Sequence, residues 1–414
     1  MDTAYFDSVT KLGVIADIQY CDANDGFNFD GTEFRRYRET LNVAKRAARS
    51  FQKHEVAAVI QLGDAIDMKS KDTYCRDFNE VLCPILRIPP PENLNITSSV
   101  LPKSIPRLDV MGNHELYCAT REQLKSMLND YNHQMDLLCY SKEIAHGKWR
   151  LITLDSFAVS VLGFSQSQIL SAEREKQYAY AKDILRQNNP TALDDYQHRA
   201  KPLDGKERFE AYNGGVGKAQ LQWLERELKD AWDKKQFVVI FSHIPISGFK
   251  RSVQSLHWDA DDLLKLIQDN GSHIVACFGG HRHDFSHQKK DELGTFTHYV
   301  DMPSPLLAPV GGEAHAILQF SVEDIPIIKK CVETDCRSMI GENESKPKEV
   351  PIQLSHIQEI DAKDMVYHNG EILRNYGFPS CENIGKVGII QVRGFGNMEK
   401  SLHLAKTAPK EWYT

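Results

Sequence analysis

Three short strings spread along the chain, Gly63-Asp64-Ala65-Ile66-Asp67, Gly112-Asn113-His114-Glu115 and Gly280-His281-Arg282-His283, each follow an apolar run: Ala58 to Leu62, Leu108 to Met111 and Ile274 to Phe278. Such a run reads as a buried strand, and the glycine behind it as the turn that ends the strand. Two further strings have the same form, Asp17-Ile18-Gln19 after Leu12 to Ala16 and His243 after Phe237 to Ser242. The fold must therefore bring five strand ends together, with lone-pair side chains at each.

Carboxylates, imidazoles and carboxamides are ligands for divalent cations. Two such cations about 3.5 to 4 Å apart need one ligand that touches both and several that touch one, and a carboxylate is the natural bridge. In Asp17-x-Gln19, and again in His281-x-His283, an extended strand end would point alternate side chains to the same side. Each segment could then supply two ligands. All three donor types suit manganese or zinc, and the share of oxygen tilts the set toward harder ions. One string alone is a weak signal; five in this order, each behind an expected strand, confirm one another by context.

On these five strings the chain resembles the calcineurin-like metallophosphoesterases. The resemblance implies a two-sheet α/β/β/α sandwich with metal ligands at strand ends. It implies one metal held by Asp17, Gln19, Asp64 and His283, and a second by Asp64, Asn113, His243 and His281, with Asp64 bridging. Hydroxide between the ions would be the nucleophile, and His114 the catalytic residue that donates a hydrogen bond or proton toward the leaving oxygen. Most of the superfamily has histidine where Gln19 stands. An amide oxygen is a harder, neutral donor, so the first metal should favour manganese or magnesium.

That departure is similar to the branch containing the manganese-dependent ADP-ribose/CDP-alcohol diphosphatases. Asp25-Gly26-Phe27-Asn28, Thr32 through Arg38, Tyr212-Asn213-Gly214-Gly215 and Gln220-Leu221-Gln222-Trp223-Leu224 agree with it, over about residues 10 to 320. The resemblance implies hydrolysis of the diphosphate linkage of nucleoside diphosphate conjugates, ADP-ribose and CDP-alcohols such as CDP-choline, to a nucleoside monophosphate and a phosphorylated product. Two manganese ions are the expected cofactors, with magnesium, zinc and iron as alternatives. Phe27, Phe29 and Tyr37, close behind the first ligand pair, are candidate base-stacking residues, with Arg36 and Asn213 as further substrate contacts. A cyclic nucleotide phosphodiesterase or phosphomonoesterase would share the metal ligands. A non-catalytic metal-binding scaffold would be expected to lose some of them or the assisting histidine, and here all are present.

The formal charge of -7 argues against nucleic acid or an anionic membrane as partner. Arg35, Arg36 and Arg38 are the basic groups at hand for an anionic substrate. Nine scattered cysteines form no paired framework or metal clip and read as reduced. The opening residues lack the charged, apolar and small-residue pattern of a leader, so none is expected, and no apolar run approaches the roughly 18 residues of a span. A soluble, cytoplasmic monomer acting on small molecules is the expectation.

Apolar spacing predicts helices over residues 32–53, 218–235 and 261–268 and a polar helical run over 167–187. Strands are expected at Trp149 to Leu154, Phe237 to Phe241, Ile274 to Phe278, Phe296 to Val300 and Ala316 to Phe320. Residues 85–106 read as an irregular loop. The stretch from Asp155 to Tyr212 reads either as a solvated helical excursion or as a lid. A catalytic domain over 10–325 and a C-terminal extension over 326–414 are expected, the extension disordered around Gly341 to Lys348. Val387 to Val392 reads as a strand, either closing the core after an insertion or belonging to an appended element. Asp67 and Glu115 are read as orienting neighbours of the ligands, and His257, His273, His287, His298 and His315 as hydrogen-bonded core or surface residues.

Overall fold

The structure, a computed structural model, describes residues 3–28, 31–91, 103–128, 136–164, 172–193, 204–247, 250–292, 295–326, 384–398 and 401–412. Phe29, Asp30, much of the 85–106 loop, the start of the 167–187 run and the Gly341 to Lys348 segment lie outside the described residues.

In chain order the elements are α1 (Thr3–Asp7), β1 (Lys11–Ile15), β2 (Gly26–Phe27), β3 (Phe34–Arg35), α2 (Glu39–Lys53), β4 (Ala58–Gln61), α3 (Tyr74–Leu82), β5 (Arg107–Asp109), α4 (Asn113–Cys118) and α5 (Arg121–Leu124). The second half continues with β6 (Tyr140–Ile144), β7 (Trp149–Leu154), α6 (Ala172–Asn188), α7 (Gly217–Asp233), β8 (Phe237–Ser242), α8 (Ala260–Asp269), β9 (Ile274–Gly279), β10 (Ser286–Glu292) and β11 (Thr295–Asp301). It ends with β12 (Ala314–Pro326), β13 (Ile384–Gly396) and β14 (Ser401–Thr407).

Two six-stranded sheets result, ordered β14-β13-β12-β1-β4-β5 and β10-β11-β9-β8-β7-β6. In the first, β1, β4 and β5 are parallel and β12, β13 and β14 antiparallel. In the second, β7, β8, β9 and β11 are parallel. Strand alternation sorts the layers. Phe237, Val239 and Phe241 of β8 join the large cluster that holds Leu12 and Val14 of β1, while Val238 and Ile240 pack on Leu224 and Leu228 of α7 and Leu263 and Ile267 of α8. Phe51 of α2 lies against Gly13 on the other face of β1. Helix, sheet, sheet and helix therefore stack in that order. Between the sheets the Trp149 ring meets Phe237 and Phe320 at 5.5 and 5.2 Å, and its Nε1 donates to Ser321 O at 3.2 Å. Each such side chain contributes about 1.5–3 kcal/mol by leaving water.

The first helix begins later than its apolar spacing suggests. α2 starts at Glu39, because Phe34 and Arg35 pair with Phe27 and Gly26 in a short hairpin. Its start has no side-chain cap: Arg38 is the N-cap residue and makes no capping hydrogen bond.

The Asp155 to Tyr212 stretch is more than a solvated helix. Its residues Val161, Ala181, Leu185, Ala192, Phe209 and Ala211 form a small core with Trp258. Polar residues dominate α6, so two buried positions four apart, Ala181 and Leu185, give a weak periodic signal. The ends of the stretch meet where Val159 N donates to Gly215 O at 2.9 Å and Gly215 N to Val159 O at 2.8 Å.

β13 runs beside β12 over its full length, with Pro326 opposite Ile384 and Ala314 opposite Gly396. Lys406 of β14 reaches across to the second sheet, donating to the carbonyls of Gly271 and Ile274. Among the described residues no helix is long and apolar enough to cross a membrane, and Cys21, Cys75, Cys83, Cys118 and Cys277 carry free thiols.

Candidate dimetal site

The loops after β1 and β4 are stitched together backbone to backbone. Asp17 N donates to Gly63 O at 3.1 Å, Gln19 N to Asp64 O at 2.8 Å and Tyr20 N to Ala65 O at 3.0 Å. Gly280 N donates to His243 O at 2.8 Å, and Ser304 Oγ to Asp17 O at 2.6 Å. These bonds hold an unusual conformation. Asp17, Gln19, Asp64, His281 and His283 have φ of 50°, 47°, 56°, 68° and 66°. The pairs Asp17/Gln19 and His281/His283 are therefore not alternating residues of an extended strand end, as the spacing suggested. β1 stops at Ile15 and β9 at Gly279, and the ligand segments turn through the left-handed region. Such backbone costs on the order of 1–3 kcal/mol per residue and persists where surrounding structure imposes it.

Two groups of atoms converge on Asp64 Oδ2. On one side stands Gln19 Nε2 at 3.2 Å, itself 2.8 Å from His283 Nε2, with Asp17 Oδ1 3.9 Å from that nitrogen. On the other stands His243 Nε2 at 3.5 Å, within 3.1 Å of Asn113 Oδ1 and 3.2 Å of His281 Nδ1. Asn113 Oδ1 and His281 Nδ1 are 3.0 Å apart. All seven expected ligands are thus gathered, with Asp64 between the two groups. The ligand atoms of Asp64, His243 and His281 lie within 4.8 Å of one another.

The donor chemistry fits cations. Gln19 Oε1 is buried without a hydrogen-bond partner, and a half-turn of the carboxamide brings that oxygen toward Asp64 and His283. Burial disfavours a charged His243, yet the Asp64 carboxylate beside it outweighs this and lifts its pKa to about 9: a proton there does what a metal ion would. Burial, with His243 adjoining, pushes the His281 pKa well down, leaving a neutral ligand. Burial also lifts Asp17 to about 6, whereas Asp64, equally buried, is held below the usual range by His243 and His114. Mixed imidazole, carboxylate and amide donors suit first-row divalent ions, and the oxygen share suits manganese.

The outer contacts are specific. Glu115 accepts from Gly112 N, Asp64 N and Ala65 N at 3.0, 2.9 and 2.6 Å, fixing the bridging residue's loop on the start of α4. Gly112 has no alternative, since a Cβ there would lie 2.1 Å from Asp64 Oδ1. His114 N donates to Asp64 Oδ1 at 2.8 Å, and its ring Nε2 lies 3.8 Å from Asp64 Oδ2. Asp67 Oδ2 is 3.3 Å from His114 Nδ1 and Met68 N 3.1 Å. Burial works against the imidazolium, but Asp64 and Asp67 outweigh it, so the His114 pKa rises. His243 Nδ1 donates to Leu62 O at 2.8 Å. His283 Nδ1 faces Glu33 Oε2 at 3.4 Å, and Arg35 Nη2 is 3.3 Å from the same oxygen. Glu33 escaped the sequence reading; its one signal there is an acid between Thr32 and Arg35.

The substrate contacts expected from sequence divide. Phe27 is 61% exposed and meets Phe34 edge-on at 5.2 Å. Arg36 lies over the Phe34 ring at 5.0 Å and donates to Ala308 O at 3.4 Å. Tyr37, only 2% exposed, packs with Cys21 and Leu306 and is core, not a stacking surface. Asn213 is also fully buried, its carboxamide committed to protein groups, so it is no substrate contact. Phe29 lies outside the described residues. His257, His273, His298 and His315 are buried; His257 bonds Ser156 Oγ, which also accepts from Ile244 N beside His243.

Comparison with known proteins bears on the family and the fold. The family model described as calcineurin-like phosphoesterase matches residues 10–285. A manganese-dependent ADP-ribose/CDP-alcohol diphosphatase of Arabidopsis thaliana is 31% identical over 68% of this chain and 83% of its own length. One of Homo sapiens is 30% identical over 69% and 80%. A crystal structure of a dimetal phosphatase from Danio rerio shares the fold, with a TM-score of 0.61 and 24% identity over 76% of this chain and 93% of that one. The chain belongs to the calcineurin-like phosphoesterase family.

Proposed function

We propose that this chain is a manganese-dependent hydrolase that cleaves the diphosphate linkage of nucleoside diphosphate conjugates, ADP-ribose and CDP-alcohols. The observation that supports this most directly is the convergence on Asp64 of a complete ligand set in which a carboxamide, Gln19, takes a place beside His283. Relatives carrying that activity in their names match more than two thirds of the chain.

Asp17, Gln19, Asp64 and His283 would hold one cation, and Asp64, Asn113, His243 and His281 the other. When bound, the ions lower the pKa of water toward neutrality and offset charge on the phosphoryl oxygens. The carboxylates of Asp64 and Asp67 favour the imidazolium of His114, which carries a proton on Nε2. In that state Nδ1 donates to Asp67. That Nε2 proton serves the oxygen that departs with the second phosphate. Arg35 has a buried Nε without a hydrogen-bond partner and sits beside Glu33, so it is the basic group we place against the distal phosphate. Exposed Phe27 offers a face to the base.

The test is a hydrolysis screen with manganese across ADP-ribose, CDP-choline, a cyclic nucleotide and a phosphomonoester, joined to metal counting on Asp64→Ala. Cleavage of the two diphosphates should exceed that of the other substrates, and the variant should bind fewer than two equivalents. Preferred turnover of the phosphomonoester would move the chain to another specificity. Two full equivalents in an active Asp64→Ala protein would remove Asp64 as the bridge.

A further inference from the structure

Each imidazole of the ligand set has its remote nitrogen tied to a different part of the chain: His243 to Leu62 O at the end of β4, His283 to Glu33 on the hairpin, and His281 to Asn213. The last tie is the most tightly determined. Asn213 Nδ2 donates to two carbonyls, Arg208 O at 2.9 Å and Gln254 O at 2.7 Å. An amide nitrogen facing two carbonyl oxygens cannot exchange places with its own oxygen without setting three acceptors against each other. Asn213 Oδ1 is therefore the atom facing His281 Nε2 at 2.9 Å, and as an acceptor it requires the proton on Nε2. The lone pair of His281 is then on Nδ1, the nitrogen that points at Asn113 Oδ1 and His243 Nε2.

We propose that Asn213 is a positioning residue that fixes the tautomer and ring orientation of His281. Through it Arg208, on the Asp155 to Tyr212 stretch, and Gln254 preset one of the two cation sites. The inference rests on the reading of His281 as a metal ligand. Asn213 touches no substrate; it acts through the imidazole, as partners of ligating histidines commonly do.

Calorimetric titration of substrate-free protein with manganese separates the possibilities. Asn213→Ala should weaken one of the two binding events about 10- to 100-fold and leave the other unchanged. Asn213→Asp keeps an acceptor oxygen while losing both amide donors, so it should recover manganese affinity relative to the alanine variant although its melting temperature falls as far. Equal weakening of both events in the two variants, tracking stability, would show a merely structural role and overturn the proposal. Should Asn213→Ala fail to fold, histidine-selective 15N spectra of the wild type with magnesium decide, the His281 signals being assigned by their loss in His281→Gln. Protonation on Nε2 supports the proposal, and protonation on Nδ1 sinks it. A His281→Ala protein that binds both manganese ions with wild-type affinity would instead overturn the ligand reading on which the inference stands.

Discussion

Left-handed backbone at Asp17, Gln19, Asp64, His281 and His283 turns five side chains inward from loops that would otherwise run straight out of their strands. The residue types were legible in sequence because cation chemistry demands carboxylates, imidazoles and amides at strand ends. The left-handed turns were not, since positive φ is advertised by glycine and here falls on bulkier residues. Their cost is met by the bonds that stitch the loops, such as Gln19 N to Asp64 O. Asn213 was legible as a residue of interest, but its burial was not, because the carbonyls that hold its carboxamide belong to Arg208 and Gln254, and the second is remote in the chain. Gln19 gives the sharpest prediction at this scale. Histidine tolerates left-handed backbone better than most residues, so Gln19→His should fold, and its nitrogen donor should shift the activity ranking from manganese toward zinc. Assays across manganese, magnesium, cobalt and zinc check this; an unchanged ranking would place Gln19 outside the ligand set.

At the scale of elements, the hairpin of β2 and β3 is where periodicity misled. Phe34, Tyr37 and Leu41 do recur at helical spacing, but cross-strand pairing of Gly26–Phe27 with Phe34–Arg35 claims the first of them before α2 begins. The consequence separates two aromatics that look alike in sequence. Phe27→Ala, at an exposed position, should change stability by no more than about 0.5 kcal/mol. It should shift the ratio of ADP-ribose to CDP-choline turnover roughly 5- to 150-fold if the ring stacks on the base. Tyr37→Ala, at a buried position beside Leu306, should instead cost about 3–5 kcal/mol, as large aromatic truncations in cores do, with that ratio unaltered. Urea unfolding alongside the two assays checks both. Equal loss on every substrate by a stable Phe27→Ala protein would assign specificity elsewhere.

For the whole molecule, the two-sheet sandwich was readable because its central strands are continuous apolar runs. Its margins were less so: β6, β10 and β14 carry charged residues whose alternation is weak. The union of the sheets has a point contact that can be tested. A Cβ on Gly388 of β13 would lie 2.4 Å from the Phe237 ring of β8, so Gly388→Ala should destabilise by about 1–3 kcal/mol through overpacking. A wild-type urea midpoint would mean that β13 does not press on the second sheet.

The pairing of Pro326 with Ile384 has a consequence of another kind. β12 runs antiparallel to β1, with Gln319 opposite Lys11 and Ala316 opposite Val14, so its Pro326 end points away from Asp17 and the cations. The chain departs from the sheet and rejoins it at neighbouring positions, on the side remote from the chemistry. The span the backbone must bridge there is set by the register of β12 on β13. That edge is a natural port, where sequence can be lengthened, exchanged for a recognition module or reopened as new termini without entering the strand ends that carry the ligands.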